Sequence, residues 1–339
     1  MTIEQDLTVA VTGPTGTFGF GLLPLLQHDV RVSRVIGVAR RPFDPAVHGW
    51  TKMDYRQGDV RDQDALRDAF AGADVVVHLA FLIVGGDQET TRGINVEGTL
   101  NAFRAAAAAG ARRFVYASSV AAYGFHRDNP VGMTEDWPTR PAARLFYAQE
   151  KAELEALLAE EAAAHPELDL YLLRPPIVVG PHAVGAKSLP GLLDPLAAAL
   201  EQGRRRLPFR LPVVVPDLPV QFIHEDDVGR ALVQCIVAAG PPGAYNIAAD
   251  DVLSMVDVAR ELGLLPLATP GRPARALARL ASRLPLPAPA QWVEAASQPA
   301  IMDTSRARTE LDWAPRITAR QALRDTLAPD GPKSTRPVE

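Results

Sequence analysis

The stretch Leu7-Thr8-Val9-Ala10-Val11-Thr12-Gly13-Pro14-Thr15-Gly16-Thr17-Phe18-Gly19 decides how this chain is read. Residues 7–11 form an apolar, β-branched run suited to a buried strand, and residues 18–26 carry the apolar content of a helix. Between them stand glycines at the spacing of a strand-to-helix turn. Gly13 permits the tight turn, Gly16 lets the backbone approach a pyrophosphate, and Gly19 lets the helix pack on the strand. The amides of Thr17 and Phe18 then point at the anion, helped by the positive end of the helix. Pro24 lies beyond the first turn, where a kink is expected.

The same alternation continues outward from this motif. Residues 35–39, 75–79, 114–117 and 170–173 read as strands, and 65–69, 95–109 and 148–164 as helices. The pattern predicts an α/β fold with a doubly wound parallel (Rossmann) sheet. Ligands of such sheets bind beyond the carboxyl ends of the strands, where Gly13, Asp59, Ala80 and Ser119 fall. After Pro181 the pattern changes to a proline-rich stretch with a helix at 189–202 and a strand-like run at 220–223. The expected organisation is a dinucleotide-binding domain over 1–181, a smaller C-terminal substrate lobe over 182–328 with some elements returning to the first domain, and a flexible tail over 329–339. Ser254 reads as the cap of a helix ending at Gly263, and Asp303 as the cap of one running to Leu311. Residues 272–283 read as an amphipathic helix with a solvated face.

The 339 residues, 47% of them hydrophobic, suffice for a substantial core. A formal net charge of -5 leaves no broad basic surface, which argues against nucleic acid as a partner. Cys235 is the only cysteine, so an internal disulfide and a multi-cysteine metal site are excluded, and it reads as a small buried apolar residue. Glu4 and Asp6 precede the first strand, unlike a signal peptide, and no apolar run is long enough to cross a bilayer, so a cytoplasmic location is expected.

Further motifs complete the pattern: Gly58-Asp59-Val60, His78-Leu79-Ala80, Asn95-Val96-Glu97-Gly98-Thr99, Ser118-Ser119 with Tyr123-Gly124, Tyr147 with Lys151, Arg174-Pro175-Pro176, Gly180-Pro181, and Phe222-Ile223-His224 with Asp226-Asp227. With these the chain resembles the extended branch of the short-chain dehydrogenase/reductase superfamily, which includes NAD(P)-dependent epimerases, dehydratases and reductases. The resemblance spans nearly the whole chain and rests on the order and spacing of the motifs together.

The resemblance implies a proton-transfer site at Ser119, Tyr147 and Lys151. Positions four apart share a helix face, so Lys151 can stand beside Tyr147. A free tyrosine ionises near pH 10, and a neighbouring ammonium and an oxidised nicotinamide both favour the phenolate. Lys151 is also expected to grip the nicotinamide ribose. Ser119, four residues before the Tyr-Gly pair, is expected to hydrogen-bond the substrate oxygen, with Ser118 as a structural strand-end residue. Dehydratases of the superfamily often have Thr-Asp-Glu where this chain has Ser119-Val120-Ala121, so the acid and base for elimination are missing from that place.

The cofactor residues follow in the same way. The second strand ends Ala39-Arg40-Arg41, with no carboxylate for a ribose 2′-hydroxyl and two guanidinium groups suited to a 2′-phosphate, so NADP is favoured and NAD remains open. The resemblance gives Asp59 to the adenine amino group with Val60 packed beside it, Leu79 and Ala80 to the path towards the nicotinamide, and Pro175 to Val178 to its carboxamide. Asn95, His78 and His224 are expected to be structural, and no metal is expected.

For the substrate, nucleotide-sugar enzymes of the superfamily commonly carry an Arg two residues before the aromatic of the Phe/Tyr-Ile-His stretch; here that position is Val220, followed by Gln221. Arg204, Arg205, Arg206 and Arg210 are the nearby replacements. Phe81, Val120 and Phe125, with Leu82 and Ile83, give the expected cleft an apolar character. The leading expectation is hydride transfer to or from a small-molecule carbonyl or alcohol without a nucleotide. A sugar-nucleotide epimerase or dehydratase and a dinucleotide-binding regulatory protein are the alternatives, and the superfamily commonly pairs as a homodimer through helices 95–109 and 148–164.

Overall fold

The computed structural model describes residues 5–83, 88–183, 210–284 and 288–327. Its strands are β1 (Leu7–Thr12), β2 (Val32–Ala39), β3 (Met53–Gln57), β4 (Val75–His78), β5 (Arg113–Ala117), β6 (Asp169–Arg174), β7 (Ile177–Val179), β8 (Pro212–Pro216), β9 (Pro219–Val220), β10 (Phe222–His224), β11 (Gly243–Asn246), β12 (Leu253–Ser254) and β13 (Leu265–Thr269). Seven of them form one sheet in the order β11-β6-β5-β4-β1-β2-β3. Every pairing within it is parallel. This is the doubly wound Rossmann arrangement expected from the alternation, extended by β11 from the C-terminal half.

Helices α1 (Thr17–His28), α2 (Gln63–Phe70), α3 (Gln88–Arg92), α4 (Gly98–Ala108) and α5 (Phe146–Ala164) connect the first six strands. The sheet is buried on both faces, which is why β1 and β4 are nearly all apolar. On one face α1 and the helix Glu225–Ile236 pack with Leu22, Leu26, Val228 and Leu232 in the core. On the other, Phe70, Phe103, Leu154 and Leu158 from α2, α4 and α5 close a second core. The crossing of α1 and the helix Glu225–Ile236 is backbone to backbone: a Cβ on Gly229 would stand 2.0 Å from the Gly21 carbonyl oxygen. Helix α1 continues through Pro24 to His28. The proline removes one backbone donor, while buried Leu22, Leu23 and Leu26 hold the helix down, each burial worth about 1.5–3 kcal/mol.

A π-helical turn, Gly93–Glu97, joins α3 to α4 and carries Asn95. Ser254 caps the helix Met255–Glu261 in a reciprocal capping box with Asp257, and Gly263 follows at φ +78. At the helix Ser305–Glu310 the expectation is corrected: Thr304 is the cap residue, and the Asp303 carboxylate accepts from the Ser305 N–H one position in. Residues 220–223 divide between β9, which pairs with β12, and β10, which pairs with β7. Cys235 is fully buried, and desolvation pushes its thiol up. The helix expected at 189–202, Arg204 to Arg206 and the tail 329–339 lie outside the described residues. Among the described residues no helix is long and apolar enough to cross a membrane, and no group of three or more His, Cys, Asp or Glu could hold a metal ion.

Candidate active site

The carboxyl ends of β1, β4 and β5 bring the sequence motifs together. At β1 the turn is tight: Gly13 has φ +68, and a Cβ there would lie 2.8 Å from the Ala80 backbone nitrogen. Gly19 packs so closely that a Cβ would stand 2.0 Å from the Pro14 carbonyl oxygen, which fixes α1 against its own turn. Gly16 differs, because a Cβ there would meet only the Gly13 oxygen at 3.5 Å. The outer face of the turn is open, and the first turn of α1 holds no acidic residue. Those two features fit a pyrophosphate approaching the backbone at a positive helix end. Thr17 Oγ1 donates to the His182 carbonyl, and the His182 ring stacks on Phe20 at 4.4 Å, bounding the turn on one side.

At β2 the chain leaves the sheet at Ala39, and Arg40 and Arg41 are exposed. Their backbones are fixed rather than their side chains: Gln57 Nε2 donates to the Arg40 carbonyl at 2.9 Å, and the Tyr55 hydroxyl to that of Arg41. Asp59 accepts from the Arg61 guanidinium at 2.7 Å, which holds its carboxyl below the usual range, with Arg40 adding a smaller attraction. Asp59 and Arg61 line an open depression with Asp62, Gln63 and Asp64. Val60 is buried in the core, its side chain facing Gly98 of α4, where a Cβ would meet it at 2.5 Å.

His78 at the end of β4 is fully buried between Thr12 Oγ1 at 2.8 Å and Thr99 Oγ1 at 3.1 Å, and burial pushes it down to about 3. It is a neutral structural bridge. Asn95, placed by the π-turn, accepts from the Leu82 N–H at 2.7 Å and donates to the Leu82 carbonyl at 2.9 Å and to Glu150 at 2.7 Å. One side chain thus ties the segment after β4, which carries Leu79, Ala80 and Phe81, to α5.

Tyr147 and Lys151 occupy the start of α5, one turn apart. Lys151 is 2% exposed. Its Nζ donates to the Tyr116 hydroxyl at 2.9 Å and the Ala117 carbonyl at 2.8 Å. The ammonium also lies 3.6 Å from the centroid of Phe81 and 5.9 Å from that of Tyr147. Desolvation pushes Lys151 down to about 7, opposed by the charges of Glu155 and Glu150. Burial pushes Tyr147 up to about 12, and the neighbouring Ser119 hydroxyl opposes the shift. Ser119 Oγ also accepts from the Ala121 N–H at 3.1 Å, which fixes the serine at the mouth of β5. Ser118 has a structural task, donating to Glu155 at 2.5 Å beside the buried Arg174–Glu155 ion pair at 2.6 Å.

The remaining expected residues surround this group unevenly. Phe125 packs with Tyr147 around Ala121 and Leu145. Phe81 meets Tyr147 edge-on at 5.6 Å and covers the Lys151 ammonium, so its ring packs on both of these side chains. Val120 starts a short helical turn and donates its N–H to the Pro175 carbonyl at 2.9 Å, joining the loops after β5 and β6. Val178, like Phe18 and Leu79, is partly buried and packs against the core. Val220 lies in the small β9–β12 sheet, and Gln221 is spent on the Met302 backbone at 3.0 and 2.8 Å. Arg210 is exposed.

Three contributors were missed from sequence. Tyr116 is buried near the end of β5, and the need of a buried Lys151 for acceptors was the available signal. Trp292 stacks on Tyr147, and Glu294 accepts from the N–H groups leading into α5. They lie far from α5 in the chain, and no local pattern marks them.

Known proteins extend this picture. An uncharacterised protein of Sinorhizobium fredii is 28% identical over 330 residues, covering 94% of this chain and 77% of its own. The sterol demethylase protein B of Methylococcus capsulatus is 33% identical over 179 residues, 52% of each chain. Among solved structures, MoeE5 in complex with UDP-glucuronic acid and NAD is 25% identical with a TM-score of 0.70, covering 94% of this chain and 97% of that one. The Thermotoga maritima UDP-glucose 4-epimerase with UDP-glucose, 18% identical at a TM-score of 0.71 and covering 95% and 97% of the two chains, shares the fold. A family model matches residues 9–248, and the chain belongs to the NAD dependent epimerase/dehydratase family, enzymes of the extended short-chain dehydrogenase/reductase type.

Proposed function

We propose that this enzyme is an oxidoreductase that moves a hydride between NADP, with NAD as the alternative, and a carbonyl or alcohol substrate carrying no nucleotide. The observation that carries the reading is the meeting of Ser119 at the mouth of β5 with Tyr147 and Lys151, one turn apart at the start of α5, next to the open Gly16 face at the neighbouring end of β1. When bound, the nicotinamide supplies or accepts the hydride. Tyr147, held protonated by burial, donates its phenolic proton to the carbonyl oxygen on reduction, and Ser119 hydrogen-bonds the same oxygen. In the oxidation direction the protonated fraction of Lys151, which falls as pH rises through about 7, favours the phenolate. Lys151 also holds the nicotinamide ribose. Gly13, Gly16, Thr17, Phe18 and Gly19 hold the pyrophosphate, Asp59 and the Val60 backbone the adenine, and Leu79, Ala80, Pro175 and Val178 border the nicotinamide.

The preference for NADP rests on Ala39 and on the two exposed guanidinium groups of Arg40 and Arg41. A substrate without a diphosphate is supported by the packing roles of Val220 and Gln221 and by the aromatic surroundings of Tyr147. The partial similarity to a sterol demethylase protein agrees with an apolar substrate. A sugar-nucleotide epimerase is the second reading, favoured by the likeness to MoeE5 with its UDP-glucuronic acid. A homodimer through α4 and α5 belongs to the same proposal, with sedimentation as its check. The test of function is NADPH consumption across a panel of ketones and aldehydes by the parent and Tyr147→Phe. The variant should lose about 10²- to 10⁴-fold in turnover with NADPH binding retained. Parent-level turnover in the variant overturns the assignment.

A further inference from the structure

We propose that Trp292 is the substrate-facing wall of this site and selects carbonyl or alcohol substrates built on a flat apolar ring. The inference rests on the reading of Ser119, Tyr147 and Lys151 given above and names the substrate class of that site.

The first observation is how Trp292 is placed. It lies in the 3-10 stretch Ala288–Ala296, from the C-terminal part of the chain. Within that stretch Glu294 is 4% exposed, and its carboxylate accepts from the backbone N–H groups of Ala143, Arg144 and Leu145, each at 2.8 Å. Gln291 Oε1 accepts from the Phe146 N–H at 3.5 Å. These four amides are consecutive and lead directly into α5, so the stretch is registered on the backbone that presents Tyr147. A carboxylate accepting from several amides is among the stronger polar anchors available.

The second observation is what Trp292 touches. Its ring stacks on Tyr147 with centroids 5.6 Å apart and planes 27° apart, while Phe81 meets the phenol edge-on at 5.6 Å and 89°. Phe125 belongs to the same cluster, with Ala121, Ala142, Leu145 and Ala148 beneath. The phenol thus has two ring contacts, Phe81 and Trp292. Trp292 and Tyr147 are both only partly buried.

A substrate whose oxygen reaches Tyr147 and Ser119 therefore carries its body along an indole. A flat apolar ring extends that stack and leaves water, whereas a polyhydroxylated chain would lose hydration there without hydrogen-bonding partners in return.

The experiment compares the parent, Trp292→Ala and Trp292→Phe with two probes, the fused-ring ketone α-tetralone and the small polar ketone dihydroxyacetone. Reduction with NADPH and calorimetric binding of α-tetralone are both measured, and thermal melts check folding. Trp292→Ala should raise the KM and Kd for α-tetralone roughly tenfold, as expected when one apolar face is returned to water. Whatever it costs turnover of both ketones through its contact with Tyr147, it should lower kcat/KM for α-tetralone about fivefold or more beyond that for dihydroxyacetone, and Trp292→Phe should restore most of the α-tetralone affinity. Equal losses on both probes, an unchanged α-tetralone affinity in Trp292→Ala, or no α-tetralone binding by the parent overturns the inference. The binding arm separates the two claims: if no carbonyl is reduced, the proposed reaction falls, while a tenfold loss of α-tetralone binding in Trp292→Ala still supports the wall.

Discussion

Replacing Lys151 by Met should stabilise the cofactor-free protein at pH 7 and remove a rise in its stability between pH 7 and 10. Lys151 is buried, and desolvation pushes it down to about 7 from its ordinary 10.5. The unfolded chain keeps the proton up to about 10.5, while the folded protein releases it near 7, so across that window the unfolded state binds more protons. Stability therefore increases with pH there, by about 1.36 kcal/mol per pH unit and roughly 5 kcal/mol over the whole window. Below pH 7 both states hold the proton and the slope vanishes, leaving the full desolvation penalty in place. Methionine has nearly the same length and no charge. It gives up the hydrogen bonds to the Tyr116 hydroxyl and the Ala117 carbonyl, about 0.5–1.5 kcal/mol each, so a net gain of about 2 kcal/mol is expected at pH 7. Urea unfolding of parent and variant at pH 7, 8, 9 and 10 reads the difference directly, because other titrating groups are common to both. A parent-minus-variant difference that stays constant across these pH values refutes the reasoning. The same substitution should weaken both cofactor binding and turnover.

Two further outcomes follow from the geometry. The parent should bind NADPH more tightly than NADH, and Arg40→Ala should narrow that preference by about tenfold or more, the worth of one charge-assisted contact; fluorescence titration with both nucleotides checks it, and tighter NADH binding by the parent counts against it. Gly229→Ala places a methyl 2.0 Å from the Gly21 carbonyl and must push α1 away, lowering stability by about 1–3 kcal/mol in urea melts and weakening nucleotide binding through the displaced turn; an unchanged melt contradicts the packing.

The sheet was legible in the sequence because its inner strands are buried on both faces and must be apolar, as β1 and β4 are. Strand β3 is polar, Met-Asp-Tyr-Arg-Gln, because it lies at the sheet edge with solvent on one side, and its sequence does not announce it. Strand β11 is four residues long and joins the sheet after a long excursion, so its place depends on tertiary packing. The glycine turn and the Tyr147–Lys151 pair are local patterns, and their spacing carries their geometry. Tyr116, Trp292 and Glu294 reach the same place through the fold, and a linear pattern holds no record of that. Val60 marks a subtler limit: its position beside Asp59 is visible in sequence, while the burial of its side chain under Gly98 depends on how α4 lies.

The central claim is that this site serves a carbonyl or alcohol without a nucleotide, and calorimetry with UDP-glucose, UDP-galactose and dTDP-glucose in the presence of NADP tests it most directly. Each diphosphate contact that lacks a charged partner forfeits about 1.5–3 kcal/mol. With Val220 at the position of the usual arginine and Gln221 committed to Met302, no heat of binding is expected from any of the three. Micromolar binding of any one of them contradicts the account and makes the sugar-nucleotide epimerase the reading to pursue.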